Sequence, residues 1–333
     1  MNIMISINRE YIGYACIMLM SLKRHHKNIM LSVYILHNEL TEEDFTFMDE
    51  VIGSEGIALI PILVPEGAVK EFQIGDWPEA AAYRLLAADL FAGSVERILH
   101  LDVDIIITGD ITGFYHTPLE DCYFAACEDF LPEDIRRRKC REFIKDENGT
   151  FFNSGVLLFN ISKLASDGFF YHVYAEVLRK YPNINIVYPD QDMLNLLFSD
   201  KTKYMDRIRY NYSPFFYHMH DKEHFYDTVE ALEKNCSIVH MMRGSKPWEN
   251  MRRMAADQLW WEYAERTPFY EDMKRRHVQA MLHKEQKLNL LVTDRLKQLV
   301  GDADTKEDLL AAEDLLFRIL ELEFSAIDLL DKK

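Results

Sequence analysis

The sequence has little cysteine and a shortage of positive charge. Its five cysteines are scattered, odd in number and form no C-x-x-C pair, which favours a reduced, cytosolic setting with buried thiols that behave as small apolar side chains. The formal net charge of −17 leaves no basic surface for phosphates, so nucleic acid is excluded as the main partner. The same charge argues against tight docking on anionic lipid.

The chain also lacks a long hydrophobic run, an internal repeat and a low-complexity segment. Its apolar stretch over residues 11–22 is too short to span a membrane. This stretch follows Asn8, Arg9 and Glu10 instead of the basic head of a signal peptide. We therefore expect a buried helix there, no transmembrane segment and a cytoplasmic protein. Residues 7–11 also lack a Gly-rich, basic loop for a triphosphate, which disfavours a nucleotidyltransferase.

The residues that are present predict an α/β fold. The chain has 333 residues, 48% hydrophobic and 12% aromatic, enough for one large catalytic domain plus an appendage or for two domains. Strand patterns alternate with helix patterns, as in βαβ units with a mostly parallel sheet. We predict strands at residues 2–7, 31–37, 56–64, 97–101, 122–127, 152–159 and 237–240. We predict helices at 10–27, from Thr41 with a capping box to Asp44, at 80–91, 161–180 and 190–198, the last with Asp190 as N-cap.

One predicted strand ends in the run His100-Leu101-Asp102-Val103-Asp104-Ile105-Ile106-Ile107-Thr108. In an extended chain, residues i and i+2 point to the same side, so Asp102 and Asp104 converge. Neighbouring carboxylates repel each other, and a divalent cation such as Mg²⁺ or Mn²⁺ that shares diphosphate oxygens is the simplest compensation. The alternative is an Asp-x-Asp that merely ends a strand, because the motif is short. Ligands of open α/β sheets bind at such strand ends.

Two further segments place polar residues in apolar surroundings before and after this pair. Arg84, in Tyr83-Arg84-Leu85-Leu86, is either a surface charge or a guanidinium that orients one carboxylate of the pair. The run Phe152-Asn153-Ser154-Gly155-Val156 puts a polar triplet inside an apolar strand. Such a triplet is costly unless its polar groups meet a partner, so we interpret it as part of a site.

Two later segments add side chains suited to a sugar and a phosphate. Asp190, Gln191 and Asp192 stand at a helix start, where they either cap the helix or line a polyhydroxyl ligand. His240 is followed six residues later by Lys246. This spacing either is structural or suits a cation beside a phosphate, with the imidazole on the metal and the ammonium on a phosphate oxygen.

Taken in order, these motifs resemble family 8 of the glycosyltransferases. They are Tyr-Arg-Leu, Asp-x-Asp, Asn-Ser-Gly-Val, Asp-Gln-Asp-x-Leu-Asn, and a His with Lys-Pro-Trp, within residues 1–261. The resemblance implies a GT-A-type nucleotide-binding fold with a mostly parallel central sheet. It further implies a retaining, metal-dependent enzyme that moves a hexose, glucose or galactose, from a UDP-sugar to a hydroxyl of a glycan or glycolipid acceptor.

The resemblance also implies roles for individual residues. Asp102, Asp104 and His240 would hold Mn²⁺ (or Mg²⁺), and Lys246 would contact the β-phosphate. Gln191 would lie beside the anomeric carbon, opposite the leaving group. The other implied donor-binding residues are Ser6, Asn8 and Tyr11 for the nucleoside, Val103 for the ribose, Arg84, Asn153, Ser154 and Asp190 for the hexose, and Gly244 in the loop after His240.

Two positions depart from the family pattern. Asn8 stands where an Asp is common, so the charge beside the nucleoside is weaker. Gly244 lies one residue later than the usual glycine, and Arg243 occupies that place. We interpret this as a changed loop in which Arg243 turns toward the diphosphate; a lost site is the alternative.

The expected catalytic residues are Arg84, Asp190, Gln191 and Asp192. Retention favours attack on the face from which UDP leaves, because the Gln191 amide is a poor nucleophile. The alternative is a covalent intermediate on Asp192 or Asp129. A catalytically silent nucleotide-sugar-binding or scaffold protein is the alternative function, and the intact metal set argues against it.

The predicted catalytic domain covers residues 1–265, and residues 266–333 form a charged α-helical extension that Gly301 divides. Its apolar residues must pack, either on the same chain or as the dimerisation element of a homodimer. Acceptor contacts, with a glycan or a lipid-linked saccharide, are expected from loops 128–149 and 211–224. The basic cluster 136–141 is either a solvated helix face or a contact for a phosphorylated or membrane-linked acceptor, which leaves peripheral contact with the inner face of the membrane open.

Overall fold

The computed structural model describes residues 1–72, 78–144, 146, 148–181, 186–242, 246–249 and 254–280. The chain forms two compact units, Met1–Met241 and Met242–Lys333, and the predicted domain boundary at residue 265 falls inside the second unit. The helical extension predicted for residues 266–333 is described only as far as residue 280. The rest of it, including Gly301, and the dimer contact expected of the extension lie outside the described residues.

Alternating strands and helices build the first unit. Its strands are β1 (Asn2–Ser6), β2 (Leu31–His37), β3 (Ile57–Leu63), β4 (Arg97–Leu101), β5 (Ile105–Ile107), β6 (Phe124–Glu128), β7 (Phe152–Asn160), β8 (Thr202–Met205) and β9 (Ile238–His240). Its α-helices are α1 (Ile12–His25), α2 (Glu42–Ile52), α3 (Ala87–Phe91), α4 (Thr112–Tyr115), α5 (Glu133–Lys139), α6 (Ile161–Ser166), α7 (Tyr171–Lys180), α8 (Pro189–Phe198), α9 (Arg207–Tyr210), α10 (Pro214–His220) and α11 (Val229–Asn235). Short 3-10 turns occupy Arg9–Tyr11, Lys70–Phe72, Glu79–Leu86, Ser199–Lys201 and Lys222–His224, and Cys140–Ile144 is a π-helical turn.

The main sheet has seven strands in the order β3-β2-β1-β4-β7-β6-β8. Strands β3, β2, β1 and β4 are parallel, and so are β6 and β8. Strand β7 is antiparallel to both β4 and β6, so it alone runs in the opposite direction. The predicted mostly parallel α/β sheet is therefore confirmed. The carboxyl ends of six strands and the first residues of β7 lie along the same edge.

The centre of this sheet is fully covered. Eight of the nine β7 residues are buried, and the middle residues of β1 are buried as well, because a strand in the middle of an α/β sheet packs against helices on both faces. The edge strand β3 keeps half-exposed and exposed residues along most of its length. A small second sheet pairs β5 with β9 in antiparallel register. Its strand β5 begins directly after Asp104.

Three predicted helices differ in detail from those observed. The helix expected over 161–180 is two helices, α6 and α7, because Gly168 adopts a positive φ of 78° between them. The helix expected over 80–91 begins as the 3-10 segment Glu79–Leu86 before α3. The N-cap of α8 is Tyr188, with Pro189 at the first helical position, so the assignment of Asp190 as N-cap was wrong. The capping box between Thr41 and Asp44 is confirmed.

The described part of the second unit is helical. Helix α12 (Ala255–Ala264) is followed by helical residues 270–280. Trp248 packs on Trp260, with ring centroids 4.9 Å apart, and Trp260 contacts Trp261 edge-on. No helix in the described part of either unit is both long and apolar enough to cross a membrane.

Candidate active site

The reversed direction of β7 brings two sequence motifs together. Leu101, the last residue of β4, pairs with Val156, and the Asp102 amide then donates to the Gly155 carbonyl at 2.8 Å. Since β7 runs against β4, its first residues adjoin the end of β4. The polar triplet Asn153-Ser154-Gly155 therefore lies beside the aspartate pair at the edge where parallel strands end.

The aspartates converge through a turn. Strand β4 stops at Leu101, and β5 starts at Ile105. The two aspartates are close together, as predicted, but the prediction that one continuous strand brings them together was wrong. Ile105 pairs with His240 across the small sheet, and the Met241 amide donates to the Asp104 carbonyl at 2.7 Å. These backbone hydrogen bonds hold His240 next to the two carboxylates.

The three side chains form a potential metal centre. His240 Nε2 lies 3.1 Å from Asp104 Oδ1 and 3.9 Å from Asp102 Oδ2. One ligand atom from each of the three residues lies within 4.8 Å of the others. Two carboxylates and an imidazole suit Mn²⁺ or Mg²⁺ that completes its shell with phosphate oxygens.

Gly155 lies directly against two of these three side chains. A Cβ on Gly155 would lie 2.3 Å from His240 Cε1 and 2.7 Å from Asp102 Oδ2. Any larger residue would therefore push the ligand atoms apart. The donor atoms and the glycine cradle together fit a divalent cation.

Arg84 joins Asp102 of the potential metal centre to Asp190. Its Nη2 lies 2.7 Å from Asp102 Oδ1, and its Nη1 lies 3.2 Å from Asp190 Oδ2 and 2.8 Å from the Ser154 carbonyl. The side chain is buried, so its surface-charge alternative is wrong. The planar guanidinium fixes two carboxylates at once, which a flexible ammonium does not do as well.

Asp102 is held in its charged form. Burial would raise the pKa of this carboxyl, but the Arg84 charge and the His100 hydrogen bond hold it well below its usual range. His100 Nε2 is 3.0 Å from the same Oδ1 that binds Arg84. Burial, followed by the Arg84 charge, lowers the pKa of His100, so its ring is neutral at physiological pH.

A cluster of amides and carboxylates lies on the other side of β7. Gln191 Oε1 accepts from the Ser154 amide at 3.0 Å, and Gln191 Nε2 donates to Asp129 Oδ2 at 2.9 Å. Asn153 Nδ2 donates to Asp129 Oδ1 and to Gln191 Oε1, both at 3.2 Å. Burial raises the pKa of Asp129, although these hydrogen bonds oppose the shift. The structure thus joins Asn153, Ser154 and Gln191, which the sequence expected near the hexose, to Asp129.

Asp192 faces away from these groups. It is completely buried, its Oδ2 accepts the Val187 and Tyr188 amides, and its Oδ1 pairs with Lys139 Nζ at 2.5 Å. Lys139 was predicted either in a solvated helix face or on an acceptor, and this is wrong because its ammonium is buried against Asp192. Arg137, its neighbour in the same cluster, is exposed and pairs with Glu133.

The expected nucleoside residues follow β1, the neighbour of β4. Parallel pairing of β1 with β4 puts Ser6 and Asp102 at the ends of adjacent strands. The Ser6 hydroxyl and the Asn8 side-chain oxygen are buried and have no hydrogen-bond partner among the described residues. Unpartnered buried polar atoms are costly, so they mark a place where a polar ligand would be favourable. Tyr11 is half-buried, with its ring 5.3 Å from that of Tyr14, and Val103 is buried beside the aspartates.

Gly244 and Lys246 are the last two residues that the sequence predicts at the site. Gly244 and its neighbour Arg243 lie outside the described residues. Lys246 belongs to the second unit, where its Nζ lies 5.7 Å from the centroid of the Trp248 ring. Its expected contact with a β-phosphate stays a prediction.

Three residues near the site escaped the sequence reasoning. They are His100, Lys139 and Asn211. His100 was passed over as part of a strand, and Asn211 was grouped with an aromatic loop expected to contact the acceptor. The signal available for His100 was a histidine two residues before an aspartate at a predicted strand end, a spacing that puts both side chains on one side of an extended chain.

Solved structures share this fold. The galactosyltransferase LgtC, crystallised with donor and acceptor sugar analogs, gives a TM-score of 0.66 at 20% identity and covers 80% of this chain and 96% of LgtC. The glycosyltransferase GlyE of Streptococcus pneumoniae gives a TM-score of 0.58 at 25% identity and covers 79% of this chain and 59% of the GlyE chain. The fold of the first unit is therefore the fold of these glycosyltransferases.

Sequence comparison identifies the family. The profile described as Glycosyl transferase family 8 matches residues 2–252. A putative glycosyltransferase of Haemophilus influenzae is 23% identical over 289 residues, which cover 83% of this chain and 86% of that protein. A lipopolysaccharide 1,2-glucosyltransferase of Escherichia coli is 24% identical over 297 residues, which cover 87% of this chain and 85% of that protein. The chain belongs to glycosyltransferase family 8.

Proposed function

We propose that this glycosyltransferase moves a hexose, glucose or galactose, from a UDP-sugar to a hydroxyl of a cell-surface glycan or glycolipid, with retention at the anomeric carbon and with Mn²⁺ or Mg²⁺. The observation that carries the proposal is the convergence of Asp102, Asp104 and His240 around the Gly155 cradle. The lipopolysaccharide glucosyltransferase activity named for the Escherichia coli relative supports a glycan or glycolipid acceptor.

The residues around the site divide the work of holding the donor. Ser6 and Asn8 supply polar atoms for the nucleoside at the end of β1. Arg84 orients Asp190 for the hexose hydroxyls and Asp102 for the cation. A divalent cation bound by the two aspartates and His240 would neutralise charge that grows on the departing diphosphate.

Transfer on a single face agrees best with the groups present. The bond from the anomeric carbon to the diphosphate oxygen breaks, the acceptor oxygen bonds to the same face, and the acceptor proton goes to the released diphosphate. Gln191 offers an amide held by the Ser154 amide and Asp129, and a neutral amide stabilises positive charge at the anomeric carbon without forming a durable bond. Asp192 already uses both oxygens inside the protein, which argues against it as a covalent nucleophile. Asp129 stays the alternative.

The test is UDP release by the purified full chain. We expect release from UDP-glucose or UDP-galactose with Mn²⁺ or Mg²⁺, loss of release in EDTA, and no release from GDP-mannose. Asp104→Asn removes one metal ligand and is expected to lower release at least about a hundredfold, since a metal supplies several kcal/mol to the transition state. Asp121→Asn, at an exposed carboxylate, is the matched control.

Two results would contradict this proposal. UDP release that is unchanged in EDTA and in Asp104→Asn would remove the metal from the reaction. Metal-dependent UDP binding without any turnover, across donors and acceptors, would favour a silent nucleotide-sugar-binding protein. Product identification by NMR then gives the anomeric configuration.

A further inference from the structure

Asn211 lies between the potential metal centre and the amide cluster. Its Oδ1 is 2.8 Å from His240 Nδ1, and its Nδ2 is 3.0 Å from Asn153 Oδ1. The residue is completely buried. One side chain therefore links the imidazole to the amides that surround Gln191.

The backbone around Asn211 keeps it in this place. The Tyr212 amide donates to the Ile238 carbonyl at 3.0 Å, and the His240 amide donates to the Tyr212 carbonyl at 2.8 Å. The Tyr212 ring stacks on Tyr217, with centroids 4.7 Å apart and planes 8° apart, and on Tyr226 at 5.3 Å. The residue after Asn211 is thus tied to β9, the strand that ends in His240.

The backbone amide of Gly155 determines which way the hydrogen bonds between Asn153, Asn211 and His240 run. The Gly155 N–H can only donate, and it donates to Asn153 Oδ1 at 3.0 Å. The oxygen of Asn153 therefore faces Gly155 and Asn211, and its nitrogen faces Asp129 Oδ1, which also accepts the Phe130 amide. Asn211 must then present its nitrogen to Asn153 and its oxygen to His240.

An oxygen at His240 Nδ1 requires a proton on that nitrogen. In the neutral ring, Nε2 then carries the lone pair, and this atom lies 3.1 Å from Asp104 Oδ1. The lone pair of Nε2 and those of the Asp104 oxygen repel each other at that distance, and a divalent cation held by both atoms would compensate this repulsion.

We infer that Asn211 is a positioning residue that holds His240 as the Nδ1–H tautomer, with its Nε2 lone pair directed at the metal position between Asp102 and Asp104. The inference rests on the proposed function for the identity of the site. A hydrogen-bond acceptor on the distal nitrogen of a metal-binding histidine fixes the ring and raises its basicity as a ligand, and its loss typically weakens metal binding ten- to a hundredfold.

Two substitutions separate the two hydrogen bonds of Asn211. Asn211→Leu removes both, and we expect Mn²⁺ affinity, measured by the electron paramagnetic resonance of free Mn²⁺, to fall about ten- to a hundredfold. Asn211→Asp keeps an acceptor for His240 Nδ1 but places oxygen against the Asn153 oxygen. It is expected to keep Mn²⁺ affinity within about threefold of wild type and to lower kcat, because the Asn153 amide is disturbed.

The tautomer is read directly by NMR. In Mg²⁺-saturated protein labelled with ¹⁵N in its 12 histidines, a long-range ¹⁵N–¹H spectrum is expected to show His240 with a protonated Nδ1 and an unprotonated Nε2. His240→Gln identifies the signals. Asn211→Leu is expected to lose the exclusive Nδ1–H pattern. This readout needs no sugar donor.

Asn160→Leu is the matched control, since it removes an asparagine side chain from the far end of β7, where it caps α6. It is expected to lower the urea midpoint and leave Mn²⁺ affinity unchanged. Wild-type Mn²⁺ affinity in Asn211→Leu, equal losses in the Leu and Asp variants, or a protonated Nε2 in the Mg²⁺-saturated protein would each overturn the inference. The predicted tautomer in a protein that transfers no sugar would instead refute only the proposed function.

Discussion

The two oxygens of the Asp102 carboxylate have different neighbours. Its Oδ1 receives Arg84 and His100, and its Oδ2 faces His240. Because both donors approach a single oxygen, the other oxygen keeps its lone pairs for a cation. The Asp-x-Asp motif predicts the ligand atoms, and the surrounding side chains decide which atom of each carboxylate is available.

Gly155 sets the size of the metal centre, so Gly155→Ala is expected to disrupt it. The added Cβ would lie 2.3 Å from His240 Cε1 and 2.7 Å from Asp102 Oδ2, and relief of that overlap requires the ligands to separate. We expect Mn²⁺ affinity to fall at least about tenfold and the free energy of unfolding to fall by about 1–3 kcal/mol. Mn²⁺ titration and urea unfolding measure the two effects.

Gly113→Ala is the control for this change. Gly113 lies in α4, and its added Cβ would meet only the Tyr210 hydroxyl, at 3.2 Å. Unchanged Mn²⁺ binding in Gly155→Ala would show that the metal is bound elsewhere.

At the scale of elements, helix α8 owes its position to a residue far away in sequence. Asp192 anchors the first turn by accepting two amides before the helix, and Lys139 reaches it from α5. The Lys139 ammonium also lies 5.0 Å from the Phe151 ring centroid and 5.2 Å from that of Tyr188. The segment that contains α5 is thereby joined to the helix that carries Asp190 and Gln191.

Breaking this pair should destabilise the fold more than a surface pair does. Lys139→Met leaves the Asp192 charge buried and is expected to lower the free energy of unfolding by about 3–5 kcal/mol. Asp192→Asn keeps an acceptor for the two amides and is expected to cost less, and the double variant should cost less than the sum of the two. Urea unfolding of all three gives the coupling energy.

Lys163→Met is the surface control, because Lys163 pairs with Asp167 on the surface. This substitution should lower the free energy of unfolding by at most about 1 kcal/mol. Turnover of Asp192→Asn is expected within about tenfold of wild type, because its carboxylate is enclosed. A loss of a thousandfold or more, with the fold intact, would restore Asp192 as a candidate nucleophile.

The sequence predicted the regular elements of the sheet well and the irregular ones poorly. Strand patterns are local, so 31–37 and 97–101 match β2 and β4. The break at Gly168 was missed because a single glycine inside an apolar pattern does not reveal its φ angle. Lys139 and Asp192 are 53 residues apart, and a run of basic residues looks solvated until the fold brings a carboxylate to one member. Asp102 and Asp104 stood out because paired carboxylates are unusual at the end of an apolar strand, and the structure brings them close to His240. The metal set itself stays a prediction.

At the scale of the whole molecule, the cysteines report on the packing of the first unit. All five are free, and four are buried while Cys122 is half-buried. Burial raises the pKa of Cys16 to about 12 and raises the pKa of Cys127 and Cys236 further above the usual thiol range. The expectation of buried thiols that serve as small apolar side chains holds for these four positions.

Thiol labelling under native conditions should therefore detect one cysteine of five. We expect Cys122 alone to react rapidly with Ellman's reagent at pH 7, and all five to react in 6 M guanidinium, about the concentration that unfolds most domains. At pH 9 Cys16 should still react slowly, because a thiol with a pKa of about 12 stays protonated there.

Cys122→Ser is the control, and it should abolish fast labelling. Rapid reaction of two or more thiols in the native protein would show that the first unit opens readily, and would contradict the tight packing around β6 and α1.

The hydrogen bonds that tie Tyr212 to β9 have a consequence for anyone who grafts new acceptor specificity onto this scaffold. The segment that follows Tyr212 and includes α10 can be exchanged, whereas Asn211 and Tyr212 are part of the structure that holds His240 and should be kept. A graft that starts at residue 211 would replace the loop expected to contact the acceptor and, unintentionally, the residue that we infer sets the histidine tautomer. A graft that starts at Ser213 keeps Asn211 and the backbone bonds of Tyr212, but it must also retain Tyr217 and Tyr226, on which the Tyr212 ring stacks.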